Sequence, residues 1–206
     1  MLNPLRALTL GGLLLFSTLG HAAPAAPDAL RIGYQKGSVS MVLAKSHQLL
    51  EQRYPQTHIS WIEFPAGPQM LEALNVGSID IGSTGDIPPI FAQAAGADLV
   101  YIGAEPPKAE VILVAQGSPI HNVAELKGKK VAFQKGSSSH NLLLRALQLA
   151  GLKFSDIQPV YLAPADARAA FQQGNVDAWA IWDPYYSAAL LQGGARVLTD
   201  GTDLKQ

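Results

Sequence analysis

Two nearly identical stretches carry the chemistry of this sequence, Tyr34-Gln35-Lys36-Gly37-Ser38 and Phe133-Gln134-Lys135-Gly136-Ser137. Each follows a short apolar run, Leu30-Arg31-Ile32-Gly33 in the first case and Lys130-Val131-Ala132 in the second. Each leads through further serines into an apolar segment of helical period, Met41 to Tyr54 and His140 to Ala150. The first N–H groups of a helix have no partner within it, and the helix dipole is positive there. A Gly-Ser loop entering a helix is therefore a ready anion site. Gly37 and Gly136 let the backbone approach closely, and the serine hydroxyls add donors. The three oxygens of a sulfonate, or those of a phosphonate or carboxylate, could be held this way without a salt bridge. The plainer role for the same serines is to cap the helices. Two copies at matching places favour the ligand reading, because capping alone does not require the same spelling twice.

The duplication continues downstream. Leu74-Asn75-Val76-Gly77-Ser78-Ile79-Asp80 resembles Phe171-Gln172-Gln173-Gly174-Asn175-Val176-Asp177, and Asp86 and Asp183 follow, each leading into proline. The repeat is longer than the roughly 20–50 residues of a solenoid unit, so it reads as two similar lobes. Two such loops facing each other across a cleft would clamp a small molecule. Trp182, Tyr185 and Tyr186 beside Asp183 could wall such a site, or Trp182 could pack in a core. Asp86 and Asp183 are equally candidates for helix caps. His140, at a helix start, is either a donor to an anion or a solvated surface histidine.

Other chemistries find no support. No G-x-S-x-G elbow and no G-x-x-x-x-G-K-[ST] loop occurs. The five histidines have no metal-ligand spacing, and Glu105, Glu110 and Glu125 are scattered along the chain. Catalytic residues, a metal and a cofactor are not expected. There is no cysteine, which excludes disulfides, thiol catalysis and anchoring through a lipidated cysteine. A formal net charge of −1 argues against nucleic acid as a partner.

The elements that must position these residues alternate. Strands are predicted at 30–34, 59–63, 79–82, 99–103, 109–115, 130–134, 159–162, 177–182 and 195–198. Helices are predicted at 41–54, 69–76 with Pro68 at the first position, 88–95, 140–150, 166–173 and 184–191. Strand–helix alternation implies parallel βαβ units, with ligand loops outside the carboxyl ends of the strands. Glu105-Pro106-Pro107-Lys108 reads as an extended boundary and the first hinge. At the N-terminus, Arg6, the apolar run Ala7 to Leu19 and Gly20-His21-Ala22 fit a cleaved export signal over 1–22. The run is shorter than the roughly 20 residues of a spanning helix. A soluble periplasmic protein follows.

Four stretches then support a family resemblance: 31–37, 63–70, Gly82-Ser83-Thr84-Gly85-Asp86-Ile87-Pro88-Pro89 and Asp177-Ala178-Trp179-Ala180-Ile181-Trp182-Asp183-Pro184. The chain resembles the substrate-binding proteins of ABC importers, in the nitrate/sulfonate/taurine group, over its whole length. The resemblance implies an α/β fold of the two-lobe, type II periplasmic-binding-protein kind, with parallel-type sheets and flanking helices. It implies a monomeric receptor that closes on an alkanesulfonate and delivers it to an inner-membrane ABC permease for sulfur supply. By position it implies ligand contacts from Gln35, Ser38, Ser40, Gly67, Pro68, Gln69, Thr84, Gly85, Asp86, Ser137, Ser138, Ser139, His140, Trp182 and Asp183. Lobe one is expected over 23–107 and lobe two over 108–200, with 201–206 starting a return to lobe one. The family's chains run on past that point, so lobe one is expected to be incomplete, the sequence being a fragment or a truncated product. The rival readings are a bilobal enzyme acting on a pyrimidine or phosphoribosyl substrate, a taurine or nitrate receptor, and a sensor lobe.

Overall fold

The computed structural model describes residues 26–201. The export signal expected over 1–22 lies outside the described residues, as do residues 202–206. Among the described residues, no helix is long and apolar enough to cross a membrane.

The first half of the chain builds β1 (Ala29–Tyr34), α1 (Val39–Ser46), α2 (Leu49–Arg53), β2 (His58–Glu63), α3 (Gly67–Asn75), β3 (Ile81–Gly82) and α4 (Ile87–Ala94). Its sheet has the order β2-β1-β3 and is parallel throughout. The helix predicted over 41–54 is two helices. Gln48 adopts a left-handed φ of 53° and breaks the ladder between α1 and α2. β3 is shorter than the predicted strand, pairing only Ile81 and Gly82 with β1.

The strand predicted over 99–103 does not form. Residues 97–109 have no regular structure, and Val100 and Ile102 are 79% and 76% exposed. An apolar run becomes a strand only where a neighbour offers hydrogen bonds and cover, and none is in place here.

The second half builds β4 (Glu110–Ala115), β5 (Lys130–Phe133), α5 (Ser138–Leu149), β6 (Gln158–Tyr161), α6 (Pro164–Gln172), β7 (Ala178–Trp182), α7 (Tyr185–Leu191) and β8 (Ala195–Thr199). The order is β6-β5-β7-β4-β8. β5 is parallel to β6 and β7, as expected, but β4 is antiparallel to both β7 and β8. β4 arrives from the linker rather than from a helix, so the crossover rule that makes the other strands parallel does not govern it. Both faces of this sheet are covered. Ile112, Val114, Val131 and Phe133 pack with Leu143 and Leu147 on one face. Val111, Leu113, Trp179 and Ile181 pack with Ala167 and Phe171 on the other. Each large apolar side chain so buried contributes roughly 1.5–3 kcal/mol.

The duplicated aspartates have one job. Asp80 Oδ2 accepts from the N–H of Arg31 at 2.7 Å, and Asp177 Oδ2 accepts from that of Lys130 at 2.7 Å. Each aspartate N–H donates back, to the carbonyl of Arg31 at 2.9 Å and of Lys130 at 2.8 Å. Both therefore fix the start of the strand that delivers a Gly-Ser loop.

Candidate ligand-binding cleft

The two loops leave β1 and β5 through turns closed by the same bond, the N–H of Ser38 to the Gln35 carbonyl at 3.0 Å and of Ser137 to that of Gln134 at 3.3 Å, but Gly136 is left-handed at φ 76° and Gly37 is not. Their side chains then diverge. Ser38 stands at the N-cap of α1 but makes no capping bond. Its hydroxyl reaches Ser83 Oγ at 3.1 Å and Glu105 Oε1 at 3.4 Å, and its one hydrogen serves one of them at a time. Ser40 Oγ donates to the same Glu105 oxygen. Gln35 Nε2 donates to the Ser83 carbonyl at 3.0 Å, tying this loop to the next.

Ser137, in contrast, is consumed by its own loop. It donates to the Gln134 carbonyl at 2.7 Å, accepts from the His140 N–H at 3.3 Å, and lies 2.9 Å from Ser139 Oγ. Ser137 and Ser139 are both buried. Ser138 lies in the first turn of α5, and its hydroxyl bonds Glu110. His140 is half-buried rather than solvated. It stacks on Phe133 with ring centroids 4.8 Å apart, and its Nδ1 accepts from the Gly136 N–H at 3.3 Å. Burial, with Lys135 nearby, lowers its pKa, so the ring is neutral at pH 7 and carries its hydrogen on Nε2, the nitrogen left to donate.

Three close approaches join the halves of the chain. A Cβ on Gly37 would lie 2.7 Å from the Asp183 carbonyl oxygen and 3.2 Å from Trp182 Cδ1. One on Gly85 would lie 3.0 Å from Ser138 Oγ, and one on Gly136 3.7 Å from Pro68 Cγ. Both Gly-Ser loops thus face the opposite half. Gly67, at the start of α3, is packed so tightly on Thr84 Oγ1 that any side chain would collide with it. Thr84 Oγ1 and Gln69 Oε1 are buried without a hydrogen-bond partner among the described residues, two polar atoms suited to meet a ligand.

Trp182 is half-buried at the end of β7, its ring edge-on to Tyr185 at 6.5 Å, so it packs in its own half while meeting Gly37 of the other. Asp183 Oδ1 accepts from the Ser187 N–H at 3.3 Å and caps α7, beside a cis Asp183–Pro184 bond. Asp86 occupies the N-cap position of α4 yet makes no capping bond, so the capping role expected of it is not realised.

Sequence reasoning passed over Glu105 and Glu110. They lie in and at the end of the linker, and each lands on a serine of a different loop, Glu105 on Ser38 and Ser40, Glu110 on Ser138. Their places on either side of Pro106 and Pro107 were the available signal. Burial pushes Glu110 up to about 7, the Ser138 hydroxyl bond opposing and the nearby Asp86 charge assisting. For Glu105 burial acts upward too, but hydrogen bonds from Lys108, Ser40 and Ser38 together bring it below the usual range. A cavity of about 450 Å³ lies behind the first loop, lined by Tyr34, Lys36, Lys45, Glu63 and Pro184. Among the described residues, no group of three or more His, Cys, Asp or Glu is placed to hold a metal ion.

Residues 61–198 match the model of the family described as NMT1/THI5 like. The chain belongs to the NMT1/THI5-like family. A protein of Escherichia coli (strain K12) named for binding aliphatic sulfonates is 82% identical over 201 residues, 97% of this chain and 63% of its own length. The crystal structure of the periplasmic aliphatic sulphonate binding protein SsuA from Escherichia coli matches with a TM-score of 0.75 at 85% identity, covering 88% of this chain and 63% of that one. The alkanesulfonate-binding protein SsuA from Xanthomonas axonopodis pv. citri, bound to MOPS, matches with a TM-score of 0.85 at 66% identity, with the same coverage of 88% and 63%. The NMT1/THI5-like chain described here therefore spans somewhat under two thirds of the relatives it matches, and its α/β fold is theirs.

Proposed function

We propose that this chain is the substrate-binding component of an ABC importer, held in the periplasm, that takes aliphatic sulfonates for sulfur supply. The observation that carries the reading is the convergence of both Gly-Ser loops on one cleft. Gly37 abuts Asp183, and Gly136 abuts Pro68. The relatives' ligands supply the chemical class, since MOPS is itself a sulfonate. Lobe one comprises 23–107 and lobe two 108–200, the export signal is removed, and the receptor works as a monomer that hands its ligand to an inner-membrane permease.

In this reading the head group is a terminal anion with three oxygens. Ser38, Ser40, Thr84 and Ser138 supply hydroxyls to it, and the first turns of α1 and α5 supply N–H groups. Trp182 covers the carbon tail, and Asp86, free of a capping bond, borders the cleft mouth. The linker is the hinge about which the lobes close. The protein binds and releases without turnover, and no arrangement in the cleft favours the enzyme alternative.

Thermal unfolding in the presence of pentanesulfonate, taurine, nitrate and sulfate tests the reading. A ligand at a hundred times its dissociation constant adds about 2.7 kcal/mol of stability. Pentanesulfonate is expected to give the largest shift. A folded protein that responds to none of the sulfonates overturns the proposal.

A further inference from the structure

The hydroxyls that face the cleft from the first loop already hold an anion, and it belongs to the chain. Glu105 Oε1 accepts from Ser40 Oγ and lies 3.4 Å from Ser38 Oγ, while its Oε2 accepts from Lys108 Nζ at 2.5 Å. Glu105 is thus spread between the N-terminus of α1 and its own linker. The second loop's counterpart serines are not held in this way, because Ser137 and Ser139 bond each other and Ser137 also donates to the Gln134 carbonyl. The second loop meets the linker through one hydroxyl, Ser138 beside Glu110, whereas Glu105 takes two hydroxyls of the first.

We propose that Glu105 is an affinity-setting residue of the cleft, a tethered carboxylate that occupies Ser38 and Ser40 and that an incoming sulfonate must displace. The inference rests on the sulfonate reading above. Two anions cannot share these hydroxyls, since each hydroxyl has one hydrogen to donate and like charges at contact repel. A group on a short tether competes at an effective concentration in the millimolar range, so it holds the hydroxyls whenever no ligand does. Competition of this kind raises the dissociation constant of every anion at that position by the same factor. Weak anions consequently fall out of the working range, while tight ones remain in it. Displacement also frees the linker from α1, so that ligand entry and release of the hinge are one event.

Calorimetric titration of the wild type, Glu105→Ala and Glu105→Asp with pentanesulfonate, and with hexanoate as a weaker anion, tests the inference. Glu105→Asp keeps the charge but is one methylene too short to span both serines and Lys108, which separates occupancy from overall charge. Glu105→Ala is expected to bind pentanesulfonate about tenfold more tightly, and hexanoate tighter by the same factor. Glu105→Asp should gain in the same direction, by about threefold. Pentanesulfonate binding by Glu105→Ala alone, with none by the wild type, also supports the inference. Wild-type binding that both variants leave unchanged or weaken overturns the inference and leaves the sulfonate reading standing. Binding by none of the three proteins overturns the reading, and the inference with it.

Discussion

The two Gly-Ser loops share nearly one spelling and the same closing hydrogen bond, yet they do different work. Ser38 points away from its helix toward Ser83 and Glu105, whereas Ser137 folds back onto Gln134 and His140. The backbones differ at the glycine, left-handed at Gly136 and not at Gly37, and the residues before the loops differ too. Tyr34 puts a hydroxyl under the first loop, bonded by Lys45 at 2.6 Å and reaching Glu63 at 3.2 Å. Phe133 puts a bare ring under the second, on which His140 stacks while it takes the Gly136 N–H. The first loop's serine bonds across to other segments, and the second loop's serine bonds within its own loop. The surroundings follow the same contrast. α1 and α2 bury no residue fully, while α5 buries Ser139, Leu142, Leu143, Ala146 and Leu147.

That contrast can be broken most forcefully through packing. Leu142 and Leu43 hold equivalent places after their loops, but Leu142 is 7% exposed and Leu43 49%. Leu142→Ala is expected to cost about 2–4 kcal/mol, and Leu43→Ala less than about 1 kcal/mol, by urea unfolding. Equal costs would show that the halves are packed alike.

A smaller effect is expected at Glu110, whose carboxyl is pushed up to about 7 by burial. A carboxyl with a native pKa above its unfolded value of about 4.5 binds more protons when folded, so stability is greatest below that value and is lost as pH rises through about 7. The loss is on the order of 2 kcal/mol. Glu110→Gln should flatten the stability profile between those limits; a profile identical to that of the wild type would place Glu110 in solvent.

The finest probe is the serine pair itself. Ser137→Ala removes a real cap and should cost about 1 kcal/mol of stability. Ser38→Ala removes none and should leave stability within about 0.5 kcal/mol while weakening pentanesulfonate binding. The reverse order in chemical denaturation and titration would undo the distinction drawn between the loops.

Much of this was legible in the residues. Glycine and proline punctuation located α3, α5 and α6 closely, with left-handed Gly77, Gly151 and Gly174 after their ends. The repeated aspartates announced a shared structural task, which proved to be anchoring strand starts. What could not be read was whatever depends on a distant partner. Leu99 to Gly103 has the composition of a strand but no neighbour to pair with. The apolar run of β4 is the same in either direction, so its antiparallel setting was invisible. The different fates of Ser38 and Ser137 go with a left-handed Gly136 that Gly37 does not match, although both are glycine before serine. Glu105 and Glu110 looked scattered because only folding brings the linker over both helix starts.

β4 has a further consequence. Its first residue, Glu110, stands in register with Trp182, and its later residues pair with β7 on one side and β8 on the other. The connection from the first half is therefore not stitched to the rim of the second sheet but driven into its interior, like a tenon into a mortise. A tug on that connection and a push on the Trp182 indole act on the same rung, with no slack between them.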